Sequence, residues 1–99
     1  MLIVREVFTA KPGQASKLSK LLKKAFSFDP NMPKFRVMTD LVGNYNTVVV
    51  EVETESLEKF EKQMKDYKKG KIDPKMAEEM SKYTEMYLYG KREIFQIEE

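Results

Sequence analysis

Residues 34–54, KFRVMTDLVGNYNTVVVEVET, decide the fold of this chain because they carry a β-hairpin signal. Two valine-rich runs flank Gly43-Asn44-Tyr45-Asn46, a cluster of turn-forming residues. With these four residues as the loop, one face is predicted to pair Leu41 with Val48, Thr39 with Val50, Val37 with Val52 and Phe35 with Thr54. The other face is predicted to pair Asp40 with Val49, Met38 with Glu51 and Arg36 with Glu53. The first face is apolar and suits a cover of helices, whereas the second mixes charged and apolar side chains.

The composition is that of a small folded protein without a basic surface. Ninety-nine residues, 41% of them apolar, are enough for one domain over residues 1–99 with its own core. Eighteen Lys and Arg against sixteen Asp and Glu leave a net charge of only +2. Because nucleic-acid binding requires an uncompensated basic patch, we expect no nucleic-acid partner.

The sequence contains no cysteine and no histidine. The first absence excludes disulfides, thiol catalysis and thiolate metal sites. The second removes the usual general base near neutral pH, the commonest metal ligand and the usual proximal haem ligand. We therefore expect no metal site and no cofactor. The N-terminal MLIVREVF has neither the length of a membrane span nor the pattern of a signal peptide, so we expect no membrane association and a cytoplasmic location.

The segments around the hairpin alternate between strand and helix periodicity. Residues 2–10 predict a strand whose faces carry Leu2, Val4, Glu6 and Phe8 on one side and Ile3, Arg5, Val7 and Thr9 on the other. Lys11-Pro12-Gly13 ends this strand, and a leucine stripe from Gln14 predicts a helix that stops before a loop over residues 28–33.

Residues after the hairpin predict two helices and a last strand. Thr54 or Ser56 is expected to cap the first of these helices, which should end at Gly70. Its apolar stripe consists of Leu57, Phe60, Met64 and Tyr67. Asp73-Pro74 predicts the start of the next helix, whose stripe consists of Met76, Ala77, Met80 and Tyr83. Residues 85–97 alternate as a strand in which Gly90 predicts a bulge.

The resulting order, β-α-β-β-α-α-β, predicts an α+β, ferredoxin-like fold: a four-stranded antiparallel sheet with its helices on one face. The uncovered face would then hold Ile3, Val7, Met38, Val42, Val49 and Tyr87, which is a large apolar surface to leave in water. A homodimer in which two sheets stack face to face would bury it. The expected dimer interface consists of Arg5, Val7, Arg36, Met38, Asp40, Val49, Glu51 and Glu53.

Short motifs in this order resemble those of a known superfamily. Thr9-Ala10-Lys11-Pro12-Gly13 before a leucine-striped helix looks like the strand-to-helix turn of NIPSNAP-like proteins. Gly43, Asn46 and Val48, followed by Ser56-Leu57 and Phe60, are similar to the hairpin and helix start of the same group. These proteins belong to the dimeric α+β barrel superfamily, alongside antibiotic-biosynthesis-type monooxygenases. The resemblance spans nearly the whole chain and implies a homodimeric barrel with a pocket between sheet and helices in each monomer.

The resemblance does not fix an activity. Some relatives are cofactor-free monooxygenases of phenolic polycycles, and others bind haem through histidine, which this chain lacks. The chain also lacks tryptophan, so the monooxygenase pattern of polar and indole groups is incomplete.

Four residues are expected to line the pocket: Glu6, Thr39, Tyr67 and Tyr83. Glu6 is a carboxylate on an apolar strand face, so burial would raise its pKa and suit it to act as a base. The alternative is that strand twist lets it reach water or a lysine. The tyrosines could orient a ligand, although a tyrosine more often buries its ring and leaves its hydroxyl at the surface. Arg36 with Glu53 could bind an anion, or could form salt bridges at the dimer seam.

These features support three functional hypotheses. The first is a homodimer of uncharacterised function that binds a small apolar or aromatic ligand under its helices. The second is a cofactor-independent monooxygenase or isomerase of phenolic or quinol-type substrates. The third is a regulatory ligand-sensing subunit. The sequence leaves open whether the chain is an enzyme.

Overall fold

The computed structural model describes residues 1–30, 32–70 and 72–99 of the chain. In chain order its elements are β1 (Leu2–Ala10), α1 (Ala15–Ser27), β2 (Phe35–Thr39), β3 (Thr47–Thr54), α2 (Leu57–Lys68), α3 (Pro74–Met80), a 3-10 turn (Tyr83–Glu85) and β4 (Tyr87–Gln96). The strands form one antiparallel sheet in the order β2-β3-β1-β4. This confirms the ferredoxin-like α+β fold and the predicted order of elements.

The predicted turns and caps are found where the sequence indicated them. Gln14 N–H donates to the Lys11 carbonyl at 2.9 Å across the Pro12-Gly13 turn, and Gly13 has a φ of +79°. Ser56 caps α2, and its Oγ accepts a hydrogen bond from Lys59 N–H at 3.2 Å. Asp73 caps α3, and Gly70 follows α2 with a φ of +73°. Two residues of the predicted loops, Asn31 and Lys71, lie outside the described part of the chain.

The core lies between α1, α3 and the β3 side of the sheet. Helix α1 buries Leu18, Leu21, Leu22 and Ala25, as its stripe predicted. These pack in one cluster with Val48 and Val50 of β3 and with Met76 and Met80 of α3. The two helices are also joined by the salt bridge between Lys24 Nζ and Glu79 Oε1, 3.1 Å apart. Half of the sheet is therefore tightly covered.

Helix α2 covers the other half differently. None of its residues is fully buried, although Phe60, Met64 and Tyr67 point toward the sheet. Its predicted stripe is correct in direction, but Leu57 at the end of the stripe is 58% exposed. A gap remains between α2 and the sheet, and this gap is the cavity described below.

The hairpin is present, but its predicted register is wrong by two residues. Phe35 lies opposite Val52, Val37 opposite Val50 and Thr39 opposite Val48. The loop is longer than four residues because the Asp40 carboxylate accepts a hydrogen bond from Thr47 N–H at 3.0 Å and closes it. Tyr45 and Asn46 adopt positive φ of 60° and 58°. Because the error is an even number, each side chain remains on its predicted face.

This longer loop changes the expected positions of two residues. Leu41 and Val42 were expected in the ladder, but they lie in the loop and are 99% and 95% exposed. Asp40 was expected on the uncovered sheet face opposite Val49, but it lies beyond β2, where its carboxylate bonds the loop.

The last strand also departs from prediction. The register shift in the β1–β4 ladder lies at Leu88, since Thr9 pairs with Tyr89 and Ala10 with Tyr87. Gly90 is not a bulge: it pairs with Phe8 in regular ladder. The shift places Tyr87 opposite buried Ala10 and against Phe8, on the helix side, and not on the uncovered face as predicted.

The uncovered face, called here the open face, carries an ion-pair network across its strands. Glu51 of β3 accepts from Arg36 of β2, with Nη2 to Oε1 at 2.6 Å, and lies 3.1 Å from Arg5 Nε of β1. Arg5 also reaches Glu93 of β4 at 3.5 Å. Arg36 was expected to pair with Glu53, and the two-residue register shift explains its pairing with Glu51 instead.

Within the described residues, no helix is long and apolar enough to cross a membrane.

Candidate ligand-binding site

A cavity of about 770 Å³ lies between α2 and strands β3, β1 and β4 of the sheet. Its floor is formed by alternate residues of the two central strands, namely Val4, Glu6 and Phe8 of β1 and Val50 and Val52 of β3. They lie together because residues at i and i+2 of a strand share one face of the sheet. Its roof is formed by Phe60, Met64 and Tyr67 of α2. Met76 and Met80 of α3 and Phe26 of α1 close the side toward the core.

The two helices that flank the cavity differ in how they pack on the sheet. Helix α1 presents leucine and alanine to the sheet and packs directly on it. Helix α2 has no fully buried residue, and its Phe60, Met64 and Tyr67 side chains line the cavity. The space between therefore has aromatic and thioether walls, which suit a flat apolar molecule.

Glu6 and Arg92 form the charged part of the cavity wall. They face each other in the β1–β4 ladder, and the Arg92 Nε–H donates to Glu6 Oε1. The guanidinium also lies over the Phe60 ring, 5.1 Å from its centroid, with Nη2 4.0 Å from the Met64 sulfur. Arg92 thus contacts both the floor and the roof of the cavity.

Tyrosine phenols form a second polar group in the wall. The rings of Tyr83 and Tyr87 stack with centroids 5.6 Å apart. The Phe8 ring packs against both, with its centroid 4.9 Å from that of Tyr87 and 6.1 Å from that of Tyr83. Tyr67 reaches the same wall from α2.

Burial governs the ionisation of two of these phenols. It raises the pKa of Tyr67, and it is the largest cause of the raised pKa of Tyr83. The neighbouring Tyr87 and Tyr67 add to the shift of Tyr83, followed by the hydrogen bond with Tyr87 and the charge of Glu6. Both phenols are therefore neutral near pH 7, and each keeps a hydroxyl proton that it can donate.

Three of the four predicted pocket residues lie in this cavity. Glu6, Tyr67 and Tyr83 line it together. Thr39 does not: it is exposed at the last pair of the β2–β3 ladder and is absent from the cavity lining. The reason is the position of its strand: β2 is the edge strand farthest from β4, and none of the residues of β2 lines the cavity.

Sequence reasoning missed Arg92 and Tyr87 as cavity residues. Both lie on β4, whose faces were assigned with a bulge at Gly90 and none at Leu88. The charged run Lys91-Arg92-Glu93 could have indicated the partner of Glu6, because oppositely charged residues often face each other across paired strands. Recognising it would have required the β1–β4 register.

The residues predicted for a dimer interface form a second surface. Seven of them share the open face and lie on β1, β2 and β3: Arg5, Val7, Arg36, Met38, Val49, Glu51 and Glu53. Asp40 does not share it, because it belongs to the hairpin loop. Pairing of Arg5 and Arg36 with Glu51 means that this face carries few uncompensated charges.

Among residues 1–30, 32–70 and 72–99, no group of three or more acidic side chains is arranged to hold a metal ion.

Comparison with solved structures places this architecture among known folds. An uncharacterised NIPSNAP domain protein from Burkholderia xenovorans superposes with a TM-score of 0.81 at 13% identity, over 99% of this chain and 95% of that one. This chain has the fold of that protein. A putative antibiotic biosynthesis monooxygenase from Chloroflexus aurantiacus superposes with a TM-score of 0.72 at 14% identity, over 95% and 89% of the two chains.

A third similar structure is SnoaB, a cofactor-independent oxygenase from Streptomyces nogalater. Its TM-score is 0.68 at 10% identity, over 99% of this chain and 93% of that one. No protein-family model matches the sequence. No curated protein matches it significantly. At these identities the comparisons show a shared ferredoxin-like fold, and the predicted likeness to NIPSNAP-like and monooxygenase-like structures is confirmed at that level.

Proposed function

We propose that this protein binds a small apolar or aromatic molecule in the cavity between α2 and the sheet. The observation that carries the proposal is the cavity itself, about 770 Å³ in volume and walled by aromatic rings. Sites for small molecules usually measure about 300–1,000 Å³ and combine an apolar lining with a few polar groups. The rings in the wall are Phe8, Phe26, Phe60, Tyr67, Tyr83 and Tyr87.

The polar groups suggest what the ligand carries besides its apolar body. Tyr67 and Tyr83 are neutral hydroxyl donors, and Glu6 already accepts from Arg92. A ligand oxygen that accepts hydrogen bonds, such as a carbonyl or a phenolic oxygen, complements such donors. The preferred ligand is therefore an apolar ring system with at least one oxygen acceptor.

Binding of the neutral fluorescent dye Nile red tests this proposal. Val52→Phe adds a ring to the cavity floor and is expected to weaken binding about tenfold or more, because the added volume has to displace the dye. Val42→Phe is the matched control, since Val42 is 95% exposed in the hairpin loop. Absence of dye binding by the wild-type chain, or equal affinity of the two variants, would contradict the proposal.

We further propose that the chain forms a homodimer through its open face. This face combines half-buried Ile3, Val7 and Met38 with charges that are largely paired within the chain. A two-fold contact uses one such surface twice and closes the assembly. Light scattering after size exclusion is expected to give twice the chain mass of 11.6 kDa, and a stable monomer would overturn this part.

A second candidate function is cofactor-independent oxygenation of a phenolic or quinol-type substrate. The observation that favours it is the convergence of the Glu6 carboxylate and the Tyr83 phenol on one cavity. Such an enzyme would consume O₂ in the presence of a quinol substrate, and Glu6→Gln would abolish the reaction. Binding of these compounds without O₂ consumption would leave the ligand-binding function and exclude this one.

A further inference from the structure

We propose that α2 is a lid over the cavity and that Arg92 is its latch. The guanidinium contacts α2 from β4, and loss of this contact would let the helix move away from the sheet and widen the mouth of the cavity. The latch is a property of the free chain, whereas the role of the lid in ligand entry rests on the proposed function. The two statements are therefore tested by separate measurements.

The first argument is the weak anchoring of α2. Helix α1 is held by four buried residues, and the short α3 is held by Met76 and Met80. Helix α2 has twelve residues and none of them is buried. Segments with little buried apolar surface are the ones that open at low free-energy cost while the rest of a protein stays folded.

The second argument is the place of Arg92. Its guanidinium lies over Phe60 in the first turn of α2 and reaches Met64 one turn later. Residues four apart lie on one face of a helix, so both contacts act on the side of α2 that faces the sheet. A cation over an aromatic ring within about 6 Å is attracted to it, more strongly where water is partly excluded.

The third argument is that Glu6 holds the latch in position. An arginine side chain has many rotamers, and most of them would leave Phe60. The hydrogen bond from Nε to Glu6 fixes the guanidinium from below, and the two side chains keep 42% and 25% of their exposure. Glu6 is thus a positioning residue. Its role in orienting Arg92 accounts for a carboxylate on the otherwise apolar face of β1.

Hydrogen exchange measured peptide by peptide tests the latch. In Arg92→Met the amides of α2 are expected to exchange about tenfold faster, which is the effect of losing one partly desolvated cation–aromatic contact, while those of α1 are unchanged. Phe60→Leu is expected to give the same local effect from the other partner. Glu6→Gln is expected to give a smaller effect in the same direction.

The matched control is Lys24→Met, which removes the cation that joins α1 to α3. It is expected to leave exchange in α2 unchanged. Unchanged α2 exchange in both Arg92→Met and Phe60→Leu would overturn the latch, and so would an equal rise throughout the chain, which marks general destabilisation.

Stopped-flow binding of Nile red tests the entry role. Arg92→Met is expected to raise both the association and the dissociation rates of the dye by a similar factor. The reason is that more frequent opening of α2 lets the dye both enter and leave the cavity faster. A dye that binds with unchanged rates to a variant with faster α2 exchange would overturn the entry role. If no dye binds, the proposed function fails while the exchange result still decides the latch.

Discussion

Gly90 lies against the Phe8 ring where β1 and β4 pair. A Cβ atom at this position would stand 3.0 Å from Phe8 Cδ1, and the ring cannot easily move because Tyr83 and Tyr87 pack on it. Glycine is therefore needed here for space. The same contact explains why a glycine that suggested a bulge lies in a regular ladder.

Gly90→Ala is expected to destabilise the chain by about 1–2 kcal/mol, because the methyl group overpacks the cavity wall. Without a steric clash, replacing a strand glycine by alanine would stabilise the folded chain by about 0.5–1 kcal/mol, because alanine loses less backbone entropy on folding. The sign of the change in the free energy of unfolding therefore shows whether the clash dominates. Urea unfolding measures it. In a Phe8→Leu background the penalty should shrink, and an equal penalty in both backgrounds would show that the ring is not its cause.

At the residue scale, the sequence identified one half of the charged pair in the cavity. Glu6 was recognisable because a carboxylate stands alone among Leu2, Val4 and Phe8 on one strand face. Arg92 was not, because it lies 86 positions away and its face depends on a bulge that alternation alone does not reveal. Local periodicity reports which residues share a face, whereas pairing across strands is a tertiary property.

At the element scale, the start of α2 is set by one side chain. Ser56 Oγ accepts from Lys59 N–H at 3.2 Å and satisfies a donor that has no partner within the helix. Because α2 has no fully buried residue, we expect this cap to contribute a large share of the local stability of the helix. Helix α1 forms without any side-chain cap at Gln14.

Ser56→Ala is expected to cost about 1 kcal/mol in local stability of α2, measured as faster amide exchange in its first two turns. Ser81→Ala is the control, since the Ser81 hydroxyl donates back to the Glu78 carbonyl at 2.6 Å and caps no helix start. Equal effects of the two substitutions on α2 would show that the cap does not control this helix.

The hairpin shows how far an element can be predicted from its sequence. Both strands, both faces and the turn region were predictable from valine spacing and turn residues. The register was not, because Asp40 closes the loop with its side chain and lengthens it from four residues. Asp and Asn make such local bonds to backbone often, but the sequence does not show which of several will do so.

At the scale of the whole molecule, the two sheet faces differ in kind. One is covered by helices and holds the core and the cavity. The other carries Val7 at its centre, between Val49 of β3 and Lys91 of β4, with paired charges around it. If two chains meet through this face, Val7 lies within the contact.

Val7→Lys is therefore expected to raise the dissociation constant of the dimer about a hundredfold, since it places an unpaired charge in the contact. Leu57→Lys is the matched control, because Leu57 is 58% exposed on the helix side. Analytical ultracentrifugation across a concentration series gives both constants. A dimer that tolerates Val7→Lys as well as Leu57→Lys would have to use another surface.

The bulge at Leu88 has a consequence for how this chain can change in evolution. Leu88 is the extra residue between Tyr87 and Tyr89, and its side chain is 59% exposed. Deleting it would restore regular pairing and still leave Tyr87 opposite Ala10, because those two residues are already aligned. The bulge is thus a site where the chain can lose one residue without altering the wall of the cavity. One residue added between Gly90 and Arg92 would instead turn Arg92 to the opposite side of the sheet.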